Sequence, residues 1–217
     1  TNVSSFANVT VNNGASSALN LQIQVGGLIG QCISGTLNVY LSTYKGVITT
    51  TAGKENSGSS YPDNQIFCGG VIGYIAAGTA GFTIDGCYIN ITTVQHHGGL
   101  CTGSIYGNGS NNIPATAVFK LLNTIIKSNF TKDGNLTSAD MGGINGYNGG
   151  LTFNTAPVMQ NVYSIGSPDW RNVPATKTNV VTNVSISGTT NAGSEKGVYD
   201  KAKTNSSITA KFDFLPD

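Results

Sequence analysis

Apolar and polar residues alternate in short runs along most of this chain, and each such run reads as a half-buried strand. Val9-Thr10-Val11 and Leu19-Asn20-Leu21-Gln22-Ile23 flank the turn former Asn12-Asn13-Gly14. Leu37, Val39 and Leu41 alternate with Asn38, Tyr40 and Ser42, and Val47-Ile48 lies in a second strand. Phe82, Ile84, Tyr88 and Ile89-Asn90-Ile91-Thr92 make the next unit, and residues 159–165 a later one. Residues 117–126 hold the only helix-like apolar pattern, although their β-branched tail and the preceding Pro114 fit a buried strand pair at least as well. Val180-Val181, Val184-Ser185-Ile186 and residues 208–214 are again strand-like. Stretches 52–65, 107–114 and 129–140 are dense in turn formers and read as loops.

One punctuation mark organises these strands. Val25-Gly26-Gly27-Leu28-Ile29-Gly30 returns as Cys68-Gly69-Gly70-Val71-Ile72-Gly73 and as Met141-Gly142-Gly143-Ile144-Asn145-Gly146. A looser copy is His97-Gly98-Gly99-Leu100-Cys101-Thr102-Gly103. Glycine permits positive φ and close backbone approach, while the aliphatic residue between points into a core. With Gly26, Gly69, Gly99 and Gly142 as markers the steps are 43, 30 and 43 residues. A unit of about 30 residues with an extra loop in the first and third repeats accounts for them, as expected of a stacked repeat architecture. The expected fold is therefore all-β: a parallel solenoid with protruding loops over residues 1–166. Residues 167–217 would add a less regular loop, strands and a charged cap packed on the same domain.

Composition changes the picture next. Charged residues make up 10% of the 217 positions, against about 25% in ordinary soluble domains, and Asn, Ser, Thr and Gly take their place. Net charge is +1 and Arg171 is the single arginine, so a phosphate-tracking basic stripe is missing and nucleic-acid binding is not expected. The longest apolar run is too short to span a bilayer. The chain starts at Thr1 without a leader-like segment, which fits a processed secreted protein or a piece of a longer one. Cys32, Cys68, Cys87 and Cys101 are even in number and suit two disulfides, with three pairings open; four small core residues are the other reading. Asn2, Asn8, Asn90, Asn108, Asn129, Asn135, Asn183 and Asn205 each open an N-x-Ser/Thr sequon, so glycosylation is expected in a compartment that supports it.

The Gly-Gly-aliphatic-x-Gly turns resemble the GLUG motif of repeat regions in secreted and surface proteins of bacteria and protists. Asp85-Gly86-Cys87-Tyr88 and Asn161-Val162-Tyr163-Ser164-Ile165-Gly166 resemble the Asn-Cys-Tyr-Ser-type strand between motifs in that family. The resemblance covers residues 20–166. It implies a right-handed parallel β-helix in an adhesive or structural surface protein; the irregular third copy, the long inserts and the residues after Ser167 depart from it.

Parallel β-helices include polysaccharide-active enzymes, so paired acids matter. Glu55, Asp63, Asp85, Asp133, Asp140, Asp169, Glu195, Asp200, Asp213 and Asp217 do not recur at one register. Only Asp63 and Asp140, each shortly before a diglycine, could stack, with Asp169 as a third candidate. Neighbours on a strand point to opposite faces, so His96-His97 does not make a joint metal site, and no group orients a His97–Cys101 pair for catalysis. No Lys-Ser/Thr follows any glycine triplet, which excludes a phosphate loop. Thr49-Thr50-Thr51 and Thr92-Thr93 are too irregular for an ice-ordering array. The expectation is a non-enzymatic, extracellular structural or adhesive glycoprotein with no catalytic or metal residues and no cofactor, self-associating end to end. The alternatives are a carbohydrate- or host-surface-binding module using Tyr61, Tyr147, Tyr163 and Trp170, and a polysaccharide lyase or hydrolase.

Overall fold

A computed structural model of the chain describes residues 2–13, 21–52, 64–96, 99–110, 112–132, 143–147, 155–166, 169–170 and 174–216. It is dominated by strands, and every strand pairing in it is parallel. β1 (Ser4–Ser5) and β2 (Val9–Asn13) form an incomplete first layer. β3 (Leu21–Gly26), β4 (Ile29–Tyr40) and β5 (Thr43–Ala52) form the first full rung, bent after Gly26 and again after Tyr40. β6 (Asn64–Gly69), β7 (Ile72–Asp85) and β8 (Tyr88–His96) repeat it. In the third rung, β9 (Gly99–Gly103) and β10 (Tyr106–Gly109) precede β11 (Val118–Lys132), which pairs first with β7 and then with β8. β12 (Asn145–Tyr147) and β13 (Val158–Ile165) make the fourth rung, and β14 (Thr176–Thr182) and β15 (Thr190–Asn191) extend the same sheet. The stacking thus runs on past Gly166.

Like residues fall above like because the rungs are in register. Val39, Ile84, Leu121 and Met159 form one buried column, and the partly buried Leu37 with the buried Phe82 and Phe119 forms another. Phe82 and Phe119 meet edge to face at 4.8 Å. Each buried aliphatic side chain contributes roughly 1.5–3 kcal/mol, but only once a neighbouring rung covers it. Residues 118–126 settle as strand, with Asn123-Thr124 at the bend between the two halves of β11.

The glycine turns sit where the first two strands of each rung meet, and the backbone continues the stacking through them. Leu28 N–H donates to Val71 O, Val71 N–H to Ile105 O, and Ile105 N–H to Ile144 O. Two expectations are corrected here. The third copy is Gly103-Ser104-Ile105-Tyr106-Gly107: Gly69 pairs with Gly103 and Ile72 with Tyr106, whereas Gly99 lies in β9 opposite Gln65. Gly98 and Gly142 lie outside the described residues. True steps between rungs, from Ile29 to Ile72, Tyr106 and Asn145, are 43, 34 and 39 residues. Secondly, Gly26, Gly27, Gly30, Gly69, Gly70, Gly73, Gly103 and Gly146 do not have positive φ; among the described motif glycines only Gly143 does, at 87°. Their role is close approach. A β-carbon on Gly70 would lie 2.1 Å from Ser104 O, and one on Gly27 would lie 2.4 Å from both Gly70 O and the Tyr44 ring.

The C-terminus departs from the expected strand. Ser194 accepts a hydrogen bond from Gly197 N–H at 3.0 Å and starts α1 (Glu195–Lys203); Asn205 caps α2 (Ser206–Thr209) by accepting from Ser207 N–H. Glu195 in the first turn and Lys201 and Lys203 in the last complement the helix dipole. Val198, Tyr199, Ala202, Ile208 and Phe212 bury against Tyr88, Ile125, Tyr163, Ile165 and Val181. Tyr88, Ile125, Tyr163 and Val181 stack in one column on the outer side of the third sheet face. The helices therefore lie along the side of the stack instead of capping its end. No helix among the described residues is long and apolar enough to cross a membrane.

Candidate functional site

The bend after β4, β7 and the equivalent strands is built on one backbone column: Asn2, Leu41, Gly86, Asn123, Asn161 and Asn179. Pairing registers on either side place each above the next. All are left-handed, with φ of 58°, 50°, 66°, 47°, 53° and 51°. Asn tolerates this region better than other residues with a side chain because its amide bonds locally. Here the amides also bond each other. Asn179 Nδ2 donates to Asn161 Oδ1 at 2.8 Å, Asn161 Nδ2 to Asn123 Oδ1 at 2.8 Å, and Asn123 Nδ2 to Asp85 Oδ1 at 2.7 Å. The carboxylate of Asp85 ends the series where Gly86 lacks a side chain.

The helices meet this column at its far end and leave a cleft of about 420 Å³ lined by Asn161, Tyr163, Asn179, Val181, Thr190, Lys201, Thr204, Asn205 and Ser206. Asn205 Nδ2 donates to Asn161 Oδ1 at 3.1 Å and to Tyr163 Oη at 2.8 Å, and Asn179 Nδ2 donates to the same phenol oxygen at 3.2 Å. The cleft is polar, with an ammonium group on its rim and the apolar Val181 in its wall.

The acids are distributed differently. Asp85 pairs with Lys211 at 3.4 Å, Asp169 with Lys177 at 2.6 Å, Glu195 with Lys127 at 2.5 Å and Asp200 with Lys196 at 2.9 Å. Glu55, Asp63, Asp133, Asp140 and Asp217 lie outside the described residues. Among the described residues no three His, Cys, Asp or Glu groups come together as a metal site. His96 ends β8 opposite Thr51, and His97 lies outside the described residues.

The disulfide expectation is corrected for three cysteines. Cys32, Cys68 and Cys87 are free thiols, Cys68 and Cys87 both buried. Cys68 lies in β6 on the first sheet face, Cys32 in β4 on the second, and Cys87 fills the inner side of the asparagine bend. Burial pushes the Cys68 thiol up to about 12 and that of Cys87 to about 11. Such thiols are protonated and unreactive at neutral pH. For Cys101 the structure gives the backbone, opposite Phe67.

The aromatic candidates also part company. Trp170 is buried, stacked on Phe82 at 6.2 Å and beside Tyr106 and Phe119, so it serves as core and not as a platform for a sugar. Tyr163 presents its hydroxyl to the polar cleft, Tyr147 ends β12, and Tyr61 lies outside the described residues.

Among the sequons, Asn2, Asn8 and Asn129 are exposed, and Asn90 and Asn183 half-buried. Asn8, Asn90 and Asn129 share the outer side of the third sheet face. Asn205 differs: both amide protons are engaged within the fold, leaving its nitrogen committed to the helix–sheet junction. Asn108 is half-buried in β10, its Oδ1 enclosed without a partner, and Asn135 lies outside the described residues.

The asparagine column and the cleft escaped sequence reasoning. In so Asn-rich a chain the 38-residue step from Asn123 to Asn161 carries no visible mark, and Asn179 follows after only 18 residues. No family model, curated protein or solved structure matches the chain.

Proposed function

We propose that the chain is a right-handed parallel β-solenoid of the GLUG-like type, working outside the cell as a non-enzymatic structural or adhesive glycoprotein that stacks end to end with its own copies. The observation that carries this reading is the first full rung. Among the described residues β3 pairs only with β6 and β4 only with β7, so a 12-residue strand leaves one row of N–H and C=O groups unmatched. Apolar side chains gather at the same end: Phe6 and Ile33 are each 69% exposed, and Val3 and Leu41 about half exposed. A parallel rung from a second copy satisfies both needs, since each rung of this chain already stacks on the next in that manner.

Two further features support it. The lysine-paired carboxylates of Asp85, Asp169, Glu195 and Asp200 act as structural ties. The sequons at Asn90 and Asn129 put glycans on a lateral face, away from the unpaired edge of the first rung. Light scattering and electron microscopy test the proposal: elongated, concentration-dependent particles are expected, and Ile33→Lys should return them to monomers with unchanged circular dichroism. Compact monomers at every concentration would sink the assembly.

A further inference from the structure

We propose that the cleft between the asparagine column and α1 binds the carboxylate-bearing sugar of an acidic glycan. The argument is an inventory of unused hydrogen-bonding capacity. Tyr163 Oη already accepts from Asn179 and Asn205, so its own proton is left to donate outward. Asn179 ends the amide series: its two N–H groups are engaged, and no described residue donates to its Oδ1. Lys201 stands on the rim in the last turn of α1, where the helix C-terminus favours a cation. No described carboxylate pairs with it, in contrast to Lys127, Lys177, Lys196 and Lys211.

The cleft thus offers a fixed positive charge and a phenolic donor for a carboxylate. It also offers an amide carbonyl and the hydroxyls of Thr190 and Ser206 for sugar hydroxyls, and Val181 for the ring's apolar side. Among the described residues no acidic side chain lines it. Its volume, about 420 Å³, falls within the range of about 300–1,000 Å³ for small-ligand sites. A neutral sugar leaves Lys201 unpaired, and a simple anion leaves the hydroxyl and carbonyl groups unmatched; a uronic acid uses both sets.

This inference gives the adhesive reading a ligand class without resting on end-to-end assembly, which light scattering measures separately. The test titrates the whole chain with sodium glucuronate, glucose and sodium acetate, following the side-chain amide resonances of Asn179 and Asn205. Saturable shifts with glucuronate are expected, with glucose weaker by about tenfold or more and acetate failing to shift Asn179. Lys201→Gln should weaken glucuronate by about tenfold and leave the melting temperature unchanged. Equal binding of glucose and glucuronate would overturn the proposal, as would acetate matching glucuronate, Lys201→Gln without effect, or no saturation.

Discussion

Asn161 donates its side-chain amide to the Asn123 carbonyl at 2.8 Å across 38 residues of sequence, and both hold a left-handed backbone, with φ of 53° and 47°. The bond spans adjacent rungs, whose backbones lie about 4.8 Å apart. A primary amide has one carbonyl and one amino end, so a stacked column of them can accept from one side and donate to the other. Asn161 and Asn123 do both, Asn179 starts the series as a donor, and Asp85 accepts the last hydrogen bond.

Replacing Asn161 tests whether the residue matters for its amide, its backbone or both. Asn161→Ala removes the bonds to Asn123, Asn179 and Asn205 and leaves a β-carbon in the left-handed region without the amide that eases it. A loss of about 2–3 kcal/mol in urea unfolding is expected. Asn161→Gly removes the same bonds but keeps the backbone at ease, and should recover about 1 kcal/mol of that loss. Equal losses in the two variants would refute a backbone contribution.

Leu41 occupies the same column with φ of 50° and no amide to compensate. It is 45% exposed and covers Gly86. Leu41→Asn should raise stability by about 0.5–1 kcal/mol, readable as a higher denaturation midpoint. A lower midpoint would mean that the leucine's packing over Gly86 outweighs the strain.

Glycine at the turns should be indispensable where neighbouring backbone presses on it and dispensable at Gly30, where nothing does. A β-carbon on Gly70 meets Ser104 O at 2.1 Å, whereas on Gly30 the nearest atom is Gln24 O at 3.4 Å. Gly70→Ala is expected to cost about 3 kcal/mol or more, and Gly30→Ala no more than about 0.5 kcal/mol. Circular dichroism melts compare the two directly, and a tolerated Gly70→Ala would contradict the close-approach account.

The buried thiols give the fold an alkaline limit. Cys68 and Cys87 ionise near 12 and 11 in the folded chain, against 9 as free groups. Below pH 9 both states keep the proton and stability is unaffected. Above it only the unfolded chain ionises, so under reducing conditions each thiol lowers stability by roughly 1–1.5 kcal/mol per pH unit until its folded value is reached. Urea midpoints should fall between pH 9 and 11, less steeply in Cys68→Ala. At pH 8, peptide mapping of a thiol reagent should find Cys32 labelled and Cys68 and Cys87 protected.

Much of the scaffold was legible because it obeys a local rule. The alternation at Leu37, Val39 and residues 159–165 marks strands, and the apolar residue within each turn marks the core. What failed depended on contacts between distant segments. A diglycine signature points to Gly98-Gly99 for the third turn, whereas Ser104 fills the second glycine's place at the true corner. Positive φ was the wrong reason for most of these glycines, since a steric partner one rung away cannot be read along the chain. The helices did carry local signals, with Ser194 as N-cap, Val198 and Ala202 four apart, and Ile208 and Phe212 four apart. Ile208, Phe212 and Phe214 read as alternation, and that pattern hid the helical spacing. Tyr163 and Asn205 meet across 42 residues, a pairing that no spacing announces.

The side-lying helices give the stack a mechanical character. Residues that hold α1 and α2 come from successive rungs: Tyr88 from the second, Ile125 from the third, Tyr163 from the fourth and Val181 beyond. Lys127 adds an ion pair to Glu195 at the start of α1. Tension along the stacking axis loads the hydrogen bonds between rungs in series, so an unbraced stack parts at its weakest joint. A rigid member glued across several joints makes them share the load, and the last residues of the chain thereby act as a splint for the rungs that precede them.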